Sequence, residues 1–466
     1  MAYEGLMVSV SGVRGRVGEA LTPEIVATFA AGFGAWASAK RRRDGGANGA
    51  TPIRIVVGRD SRVSGPMFHR AVLSALQSVG CTVVDIDLTT TPSCQLAVEY
   101  HRAAGGLMIS ASHNPIEWNA LKFIGPSGLF LDAAEWDAMR ALAEAGIPRA
   151  TWDRLGQVET DAGAIERHLE LVLALPFLDV EGIRGRRFHV ALDCCRGAGG
   201  AIIPALLERL GCRVTAINLE TDGRFSHPPE PVPENLGELE ALVRRSGADV
   251  GFAVDPDVDR LALVSELGQA VGEDYTLALA ARVVLKHRAG PVVTNLSTSR
   301  VVDDVAAAGG SRVIRAPVGE VNVALRMRAE GAAIGGEGNG GVILSELHLG
   351  RDAPVGAALV LQLLVEEDRP LSEVVDDHPR YVIVKEKLDR PDASLASVYD
   401  ALRSAFPDAE ADTQDGLRLA WHDRWVHVRP SGTEPIVRVI AEAPSDELAR
   451  DLIARSRVPL ERLLEA

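Results

Sequence analysis

Three aspartates alternate along one short segment of the chain. They are Asp255, Asp257 and Asp259; an apolar run at 250–254, which predicts a strand, precedes them and Arg260 follows. Because alternate side chains of an extended segment point the same way, the three carboxylates are expected to converge. Like charges at that spacing repel one another unless a cation lies between them, and ligation by oxygen suits Mg²⁺. An EF-hand is disfavoured because Arg260 stands where that loop needs glycine, and a polar turn with solvated acids stays open.

A loop containing serine and histidine is the second candidate site. Ser112 and His113 follow the short apolar run 107–109, and small or polar residues surround them. Such a loop at the end of a strand is a common place for a nucleophile. No G-x-S-x-G elbow surrounds Ser112, so a serine hydrolase of that kind is not indicated, whereas a cap or turn serine remains an alternative. Lys122 lies nearby in the sequence and could supply positive charge or a proton.

A third loop combines glycine with two polar side chains. The segment 334–343 contains five glycines around Glu337 and Asn339. It lacks the spacing of a P-loop and of a dinucleotide-binding loop. Glycine permits close backbone approach, and a Glu–Asn pair offers both acceptors and donors, which suits sugar hydroxyls. A glycine-rich turn without a ligand is the alternative.

A fourth loop, at 428–435, has the residues of a phosphate site. Arg429 offers a planar fork to a phosphate, and Ser431 and Thr433 add hydroxyl donors. Gly432 allows backbone N–H groups to turn inward as an anion nest, and Arg438 adds charge nearby. A plain hairpin turn is the alternative.

The amino-acid composition limits the classes of molecule that the protein is expected to bind. The chain has 466 residues, which predicts about three domains, and 49 Lys and Arg against 64 Asp and Glu give a net charge of −15. This balance disfavours binding to nucleic acid or to an anionic membrane but allows a small anionic substrate in a local basic pocket. We find neither an apolar run long enough to span a membrane nor a signal-peptide pattern. The five cysteines form no C-x-x-C pair, so we expect buried thiols and a cytoplasmic protein.

Three segments repeat one pattern that would position these loops. Each has a β-branched run, a stretch of helical period, a glycine and a second β-branched run, which predicts a βαβ unit with parallel strands. The glycines are Gly80, Gly211 and Gly310, and their wide spacing suits tandem domains, although one large α/β domain is the alternative. After residue 376 the pattern changes to strands near 381–385, 421–428 and 436–441 and helices at 395–406 and 445–454, an α+β tail. The stretch 37–50 is predicted to be a flexible surface loop.

Taken in order, the four loops resemble those of the α-D-phosphohexomutase family. The segments 110–115, 255–260, 336–341 and 429–435 are similar to its S-H-N-P, D-x-D-x-D-R, G-E and R-P-S-G-T-E-P motifs, and 11–15 resembles its S-G-[IV]-R-G segment. The resemblance spans essentially the whole chain. It implies an α/β fold of three tandem, similar domains with mixed sheets plus a C-terminal α+β domain around a central cleft. We place these domains at 1–155, 156–268, 269–376 and 377–466.

The resemblance also implies an activity and a role for each loop. Hexose 6-phosphate and hexose 1-phosphate would interconvert through a phosphoserine and a bisphosphorylated sugar, with hexose bisphosphate as activator. Ser112 would be the phosphoserine and would bind one Mg²⁺ together with the three aspartates. The implied catalytic residues are Arg14, Ser112, His113, Lys122 and Arg260. The implied substrate-binding residues are Gly319, Glu337, Asn339, Arg429, Ser431, Gly432, Thr433 and Arg438.

Two details of the segment 336–341, the sugar loop, indicate which branch of the family the chain resembles. The G-E-G-N-G-G form, with V-G-E-V-N-V upstream, is similar to the archaeal-type phosphoglucosamine mutase branch, and phosphomannomutase/phosphoglucomutase enzymes are the alternative. Several relatives have a histidine where this chain has Gly341, so an acid/base role for that histidine does not carry over. A sugar-phosphate-binding protein without activity and a metal-dependent phosphatase are the other hypotheses. We expect a monomer or homodimer.

Overall fold

The computed structural model describes residues 5–43, 53–389, 394–430 and 436–464, and its elements form four sheets. The first sheet and its helices comprise β1 Met7–Ser9, β2 Gly12–Arg16, α1 Pro23–Arg43, β3 Ile53–Arg59, α2 Gly65–Gln77, β4 Cys81–Leu88, α3 Thr91–Tyr100, β5 Gly105–Ile109, β6 Trp118–Ile124, α4 Ala133–Ala145 and β7 Val158–Thr160. The strand order is β1-β2-β6-β5-β3-β4-β7. The sheet is mixed, because β3 is parallel to β4 and β5 whereas β6 is antiparallel to β5.

The second and third sheets are smaller versions of the first. The second part of the chain comprises α5 Ala164–Leu173, α6 Val180–Arg186, β8 His189–Asp193, α7 Ile203–Arg209, β9 Arg213–Ile217, α8 Gly237–Ser246, β10 Val250–Val254 and β11 Leu261–Ser265. The third comprises α9 Glu273–His287, β12 Val292–Asn295, α10 Val301–Ala308, β13 Val313–Ala316, α11 Glu320–Glu330, β14 Ile334–Glu337, β15 Gly341–Leu344, α12 Ala353–Glu367 and α13 Leu371–Asp376. Their strand orders are β11-β10-β8-β9 and β13-β12-β14-β15.

All three sheets share one four-strand arrangement. The order β4-β3-β5-β6 of the first corresponds to β9-β8-β10-β11 and β13-β12-β14-β15, and in each the last strand is antiparallel to its neighbour. The three predicted βαβ units are confirmed as parallel pairs. Gly80, Gly211 and Gly310 follow the crossover helices at φ of 79°, 72° and 69°, a left-handed conformation that glycine adopts without a Cβ clash.

The tail forms a separate antiparallel sheet. It comprises β16 Val382–Asp389, α14 Leu395–Ala405, β17 Glu410–Asp412, β18 Leu417–Ala420, β19 Trp425–Pro430, β20 Ile436–Ala443 and α15 Asp446–Leu464, in the strand order β16-β20-β19-β18-β17. The α+β tail is thereby confirmed, but two bounds were wrong. Trp421 belongs to the turn between β18 and β19, and α15 continues to Leu464 rather than ending at 454.

The predicted loop at 37–50 was wrong in its first half. Residues 37–43 continue α1, and the side chains of Ala37 and Ser38 are buried. Alanine, lysine and arginine all favour a helix, so the composition that indicated an exposed loop equally suits the last turns of a helix. Residues 44–50 lie outside the described part of the chain.

The three largest of six hydrophobic cores among the described residues support the site. One belongs to the first sheet, one to the fourth, and a continuous core from Leu169 to Val375 joins the second and third. In the described ranges, no helix is both long and apolar enough to cross a membrane. The strand β7 pairs with β4 in the first sheet, although it lies beyond residue 155. The division of the chain at 155, 268 and 376 stays a prediction.

Candidate active site

The three loops singled out in the first three sheets occupy equivalent positions in the fold. The serine loop (110–115) joins β5 to β6, the aspartate loop (255–260) joins β10 to β11, and the sugar loop (336–341) joins β14 to β15. Each therefore connects the last two strands of the shared four-strand arrangement. Because the strand arrangement is repeated, loops that are far apart in the chain lie at equivalent ends of their sheets and can contribute to one site.

The serine loop presents its hydroxyl to the first aspartate. Ser112 is buried, has a φ of 48° and donates a hydrogen bond from Oγ to Oδ2 of Asp255 over 2.7 Å. Its Oγ also lies 3.3 Å from Nδ1 of His113, and its backbone N–H donates to Oγ of Ser110. A left-handed conformation costs a non-glycine residue energy, so the surrounding loop must hold it.

Arg62, which sequence reasoning missed, supplies that hold. Its side chain is fully buried, and its Nη atoms donate to the backbone carbonyls of Ser112, Asn114, Pro115 and Trp118 over 2.5–2.8 Å. Its Nε donates to the buried carboxylate of Asp60 over 3.2 Å. The only signal in the sequence is a cluster of polar residues, 60–62, directly after β3.

The aspartate loop brings its three carboxylates together, as predicted, but by a different geometry. Asp255, Asp257 and Asp259 are fully buried, and one ligand atom of each lies within 4.8 Å of the others. Residues 255–260 form a turn rather than an extended strand, and Val258 has a φ of 65°. The convergence therefore comes from the turn, and the expected alternation along a strand was wrong.

The electrostatics of this cluster leave a place for a cation. Among the described residues, Oδ1 of Asp257 and Oδ1 of Asp259 accept no hydrogen bond, although both are buried. Burial, together with Asp259 and Asp257, raises the pKa of Asp255 well above its usual range. Buried oxygen atoms with free lone pairs, on crowded carboxylates, fit the hard divalent cations Mg²⁺ and Ca²⁺. The donor set thus fits the predicted metal.

Lys122 is a cation in direct contact with this cluster. Its Nζ donates to Oδ2 of Asp257 over 2.6 Å and lies 3.8 Å from Oδ2 of Asp259. Burial opposes its charge, but the two aspartates outweigh that effect and raise the pKa of Lys122. Thr91, another residue that sequence reasoning missed, donates to the same Asp257 oxygen over 2.5 Å. Against its burial, Lys122 and Thr91 hold the pKa of Asp257 below its usual range.

Two arginines and a histidine complete the basic side of the site. Arg14 donates to Oδ1 of Asn114 over 2.5 Å, and burial lowers its pKa to about 10, so it is charged at neutral pH. Arg260 donates to Oε1 of Glu230 over 3.3 Å. Burial beside Arg260 and Arg14 holds the pKa of His113 well below its usual range, which keeps this imidazole neutral. The arrangement can stabilise anionic oxygens and offers a neutral imidazole to exchange protons.

The sugar loop holds Glu337 rigidly. Its Oε1 accepts hydrogen bonds from Nδ2 of Asn295 over 2.9 Å and from the backbone N–H of Gly319 over 3.0 Å. Its Oε2 accepts from Arg351 over 2.6 Å and from Asn339 over 3.5 Å. Arg351, also missed by sequence reasoning, outweighs burial and lowers the pKa of Glu337, which is therefore ionised at neutral pH.

One cavity of about 450 Å³ brings together the predicted residues that the structure describes, except the three aspartates, which are fully buried. The predicted residues that line it are Arg14, Ser112, His113, Lys122, Arg260, Gly319, Glu337, Asn339, Arg429 and Arg438. A wider cavity of about 1260 Å³ shares lining residues with it, among them His113, Glu230 and Arg438. Ser431, Gly432 and Thr433 lie outside the described residues, as does most of the predicted phosphate loop. Arg429, which belongs to this loop and is described, lies 3.4 Å from a carboxylate oxygen of Asp415.

Comparison with known families places all four parts of the chain. The models for α/β/α domains I, II and III of phosphoglucomutase/phosphomannomutase match residues 6–148, 166–268 and 272–381, and the model for the C-terminal domain matches 381–457. The chain therefore belongs to the phosphoglucomutase/phosphomannomutase family. This confirms the family suggested by the motifs, and with it a phosphohexomutase activity.

Individual relatives are similar to this chain over nearly its full length. A probable phosphoglucosamine mutase of Methanopyrus kandleri is 38% identical and covers 96% of both chains. A phosphoglucomutase/phosphomannomutase of Thermococcus kodakarensis is 36% identical and covers 99% of this chain and 100% of that one. The crystal structure of a phosphoglucomutase/phosphomannomutase family protein from Burkholderia thailandensis matches with a TM-score of 0.84 at 26% identity, over 98% of each chain. The similarity to archaeal mutases expected from the sugar loop is confirmed.

Proposed function

We propose that the chain is a phosphoglucosamine mutase that interconverts glucosamine 6-phosphate and glucosamine 1-phosphate through a phosphorylated Ser112. The observation that carries this proposal is the Ser112 hydroxyl, 2.7 Å from Asp255, at one wall of a basic cavity. A buried carboxylate that accepts from the hydroxyl makes the oxygen more nucleophilic. The sugar loop lies across the same cavity.

The reaction consists of two phosphoryl transfers. In the first, the bond between phosphorus and Oγ of Ser112 breaks while a free sugar hydroxyl bonds to the phosphorus, and the proton of that hydroxyl is transferred to Oγ. The sugar bisphosphate turns over, and in the second transfer the bond between the other phosphoryl group and its sugar oxygen breaks as Oγ of Ser112 bonds to that phosphorus; the proton of Oγ passes to the sugar oxygen. Arg14, Lys122 and Arg260 neutralise the charge on the transferring group, the main requirement of such reactions.

The three aspartates and Ser112 would hold the Mg²⁺. When bound, the ion withdraws charge from the phosphoryl oxygens. Arg429, Ser431, Gly432, Thr433 and Arg438 would bind the phosphate that does not move. Glu337, Asn339 and Gly319 would contact ring hydroxyls, and His113 is the nearest neutral proton acceptor to Ser112. Hexose bisphosphate would phosphorylate Ser112 and so activate the enzyme.

The choice of glucosamine rests on the relatives. The Methanopyrus kandleri protein is named a probable phosphoglucosamine mutase, and the G-E-G-N-G-G loop agrees with that branch. The Thermococcus kodakarensis relative carries the other name, so mannose and glucose phosphates are the second candidate substrates. The cytoplasmic location and the monomeric or homodimeric state remain predictions.

A substrate panel tests the proposal. Purified protein is incubated with Mg²⁺, a trace of hexose bisphosphate and each of glucosamine, glucose and mannose 6-phosphate. We expect isomerisation, with the highest kcat/KM for the glucosamine compound. Release of free phosphate without isomerisation would instead favour a phosphatase, and binding without either reaction would favour a sugar-phosphate-binding protein.

A further inference from the structure

Arg351 is a buried arginine that joins two functional loops. It lies between β15 and α12, and its Nη2 donates to Oδ2 of Asp259 over 2.5 Å while its Nη1 donates to Oε2 of Glu337 over 2.6 Å. A third carboxylate, Glu320, lies 3.2 Å from its Nε and also accepts from its backbone N–H. A planar guanidinium can hold two carboxylates at once in fixed directions, which a lysine ammonium cannot do.

Gly341 makes room for this arginine. A Cβ at residue 341 would lie 2.2 Å from Cδ and 3.0 Å from Cγ of Arg351, both well inside contact distance. Gly341 lies in β15 with an ordinary backbone conformation, so the arginine stem is what excludes a side chain. The stem of Arg351 therefore occupies the space into which a side chain at residue 341 would begin.

We infer that Arg351 is a positioning residue that orients Asp259 in the metal site and Glu337 in the sugar site with one guanidinium. The inference rests on the proposed function. On the metal side, Arg351 engages Oδ2 of Asp259 and leaves Oδ1 without a hydrogen-bond donor among the described residues. On the sugar side, Asn295 and Gly319 hold one oxygen of Glu337, and Arg351 holds the other.

A conservative substitution, Arg351→Lys, tests this role. It keeps the positive charge among three buried carboxylates but removes the fork. We expect Mn²⁺, counted as free ion by electron paramagnetic resonance, to bind about tenfold more weakly, the usual effect of losing an outer partner of a metal ligand. We also expect weaker calorimetric binding of glucosamine 6-phosphate to the unphosphorylated protein.

A double-mutant cycle with Glu337→Gln tests the link to the sugar site. Because both changes break the same contact, Arg351→Lys should weaken glucosamine 6-phosphate binding much less in the Glu337→Gln background than in wild type. Arg288→Lys is the matched control, since Arg288 pairs with Glu346 at the surface and should leave both affinities unchanged. Gly341→Ala should reproduce the effects of Arg351→Lys by displacing the arginine.

The outcomes distinguish a positioning role of Arg351 from a role in stability alone. They also distinguish failure of this inference from failure of the proposed function. An unchanged Mn²⁺ affinity of folded Arg351→Lys, or effects on sugar-phosphate binding that multiply with those of Glu337→Gln, would overturn the inference even if the melting temperature falls. A wild-type protein that isomerises no hexose phosphate would instead refute the proposed function, while both binding measurements would still decide the role of Arg351.

Discussion

Arg62→Lys should loosen the serine loop although it preserves the charge. Arg62 donates to four backbone carbonyls and to the Asp60 carboxylate, five acceptors in all. A lysine ammonium has three donors at a single point, so at least two of these acceptors, which are buried or partly buried, lose their bond. At about 1–3 kcal/mol for a fully buried group left without a partner, the cost to folding is at most about 2–6 kcal/mol for two groups.

The activity should fall as well, because the same carbonyls fix the position of Ser112. A displacement of a reacting group by about 1 Å can cost about 100-fold in rate. Urea denaturation gives the stability, and mutase assays at a temperature where the variant remains folded give kcat. Arg54→Lys on β3 is the control, since Arg54 pairs with Glu159 at the surface and such pairs contribute about 0–1 kcal/mol. If Arg62→Lys matched Arg54→Lys in both assays, this reasoning would be refuted.

Three other predictions follow from the described residues. Mg²⁺ should raise the unfolding midpoint of wild type but not of Asp257→Asn, which should also lose turnover while staying folded; equal shifts would contradict the metal assignment. Burial lowers the pKa of His427 to about 4. Between pH 6.5 and 4 the unfolded chain therefore binds a proton that the folded chain does not, and the free energy of unfolding decreases as the pH is lowered. The free-energy advantage of wild type over His427→Asn in urea denaturation should thus be about 2 kcal/mol smaller at pH 5 than at pH 7, and an equal advantage at both pH values would contradict the shift. Burial raises the pKa of the Cys81 and Cys94 thiols to about 11 and about 12, so a disulfide reagent at pH 8 should modify them only after denaturation, and rapid reaction of the native protein would contradict their burial.

The sequence predicted the repeated architecture because its signals are local. A β-branched run, a helical period and a glycine such as Gly80 can each be recognised from residues that are adjacent in the sequence. The same holds for the clustered acids at 255–259. The prediction for 37–43 was wrong because alanine and basic residues suit both a surface loop and the end of a helix. Burial of Ala37 decides between them, and burial depends on the rest of the fold.

Arg62 and Arg351 could not be found in this way. Four of the five partners of the Arg62 side chain are backbone carbonyls 50 or more residues further along the chain, and any sequence supplies carbonyls. Arg351 joins Asp259, 92 residues earlier, to Glu337 in another loop. Neither arginine belongs to a motif that indicates its contacts, which only the packed fold creates.

Identification of the phosphorylated residue tests the central claim most directly. Wild type and Ser112→Ala are incubated with glucose 1,6-bisphosphate and Mg²⁺, and intact mass followed by peptide mapping locates the added phosphoryl group. We predict one phosphoryl group on Ser112 of wild type, its loss on addition of glucosamine 6-phosphate, and neither phosphorylation nor mutase activity in Ser112→Ala. A phosphoryl group on another residue, with mutase activity retained in Ser112→Ala, would contradict the account.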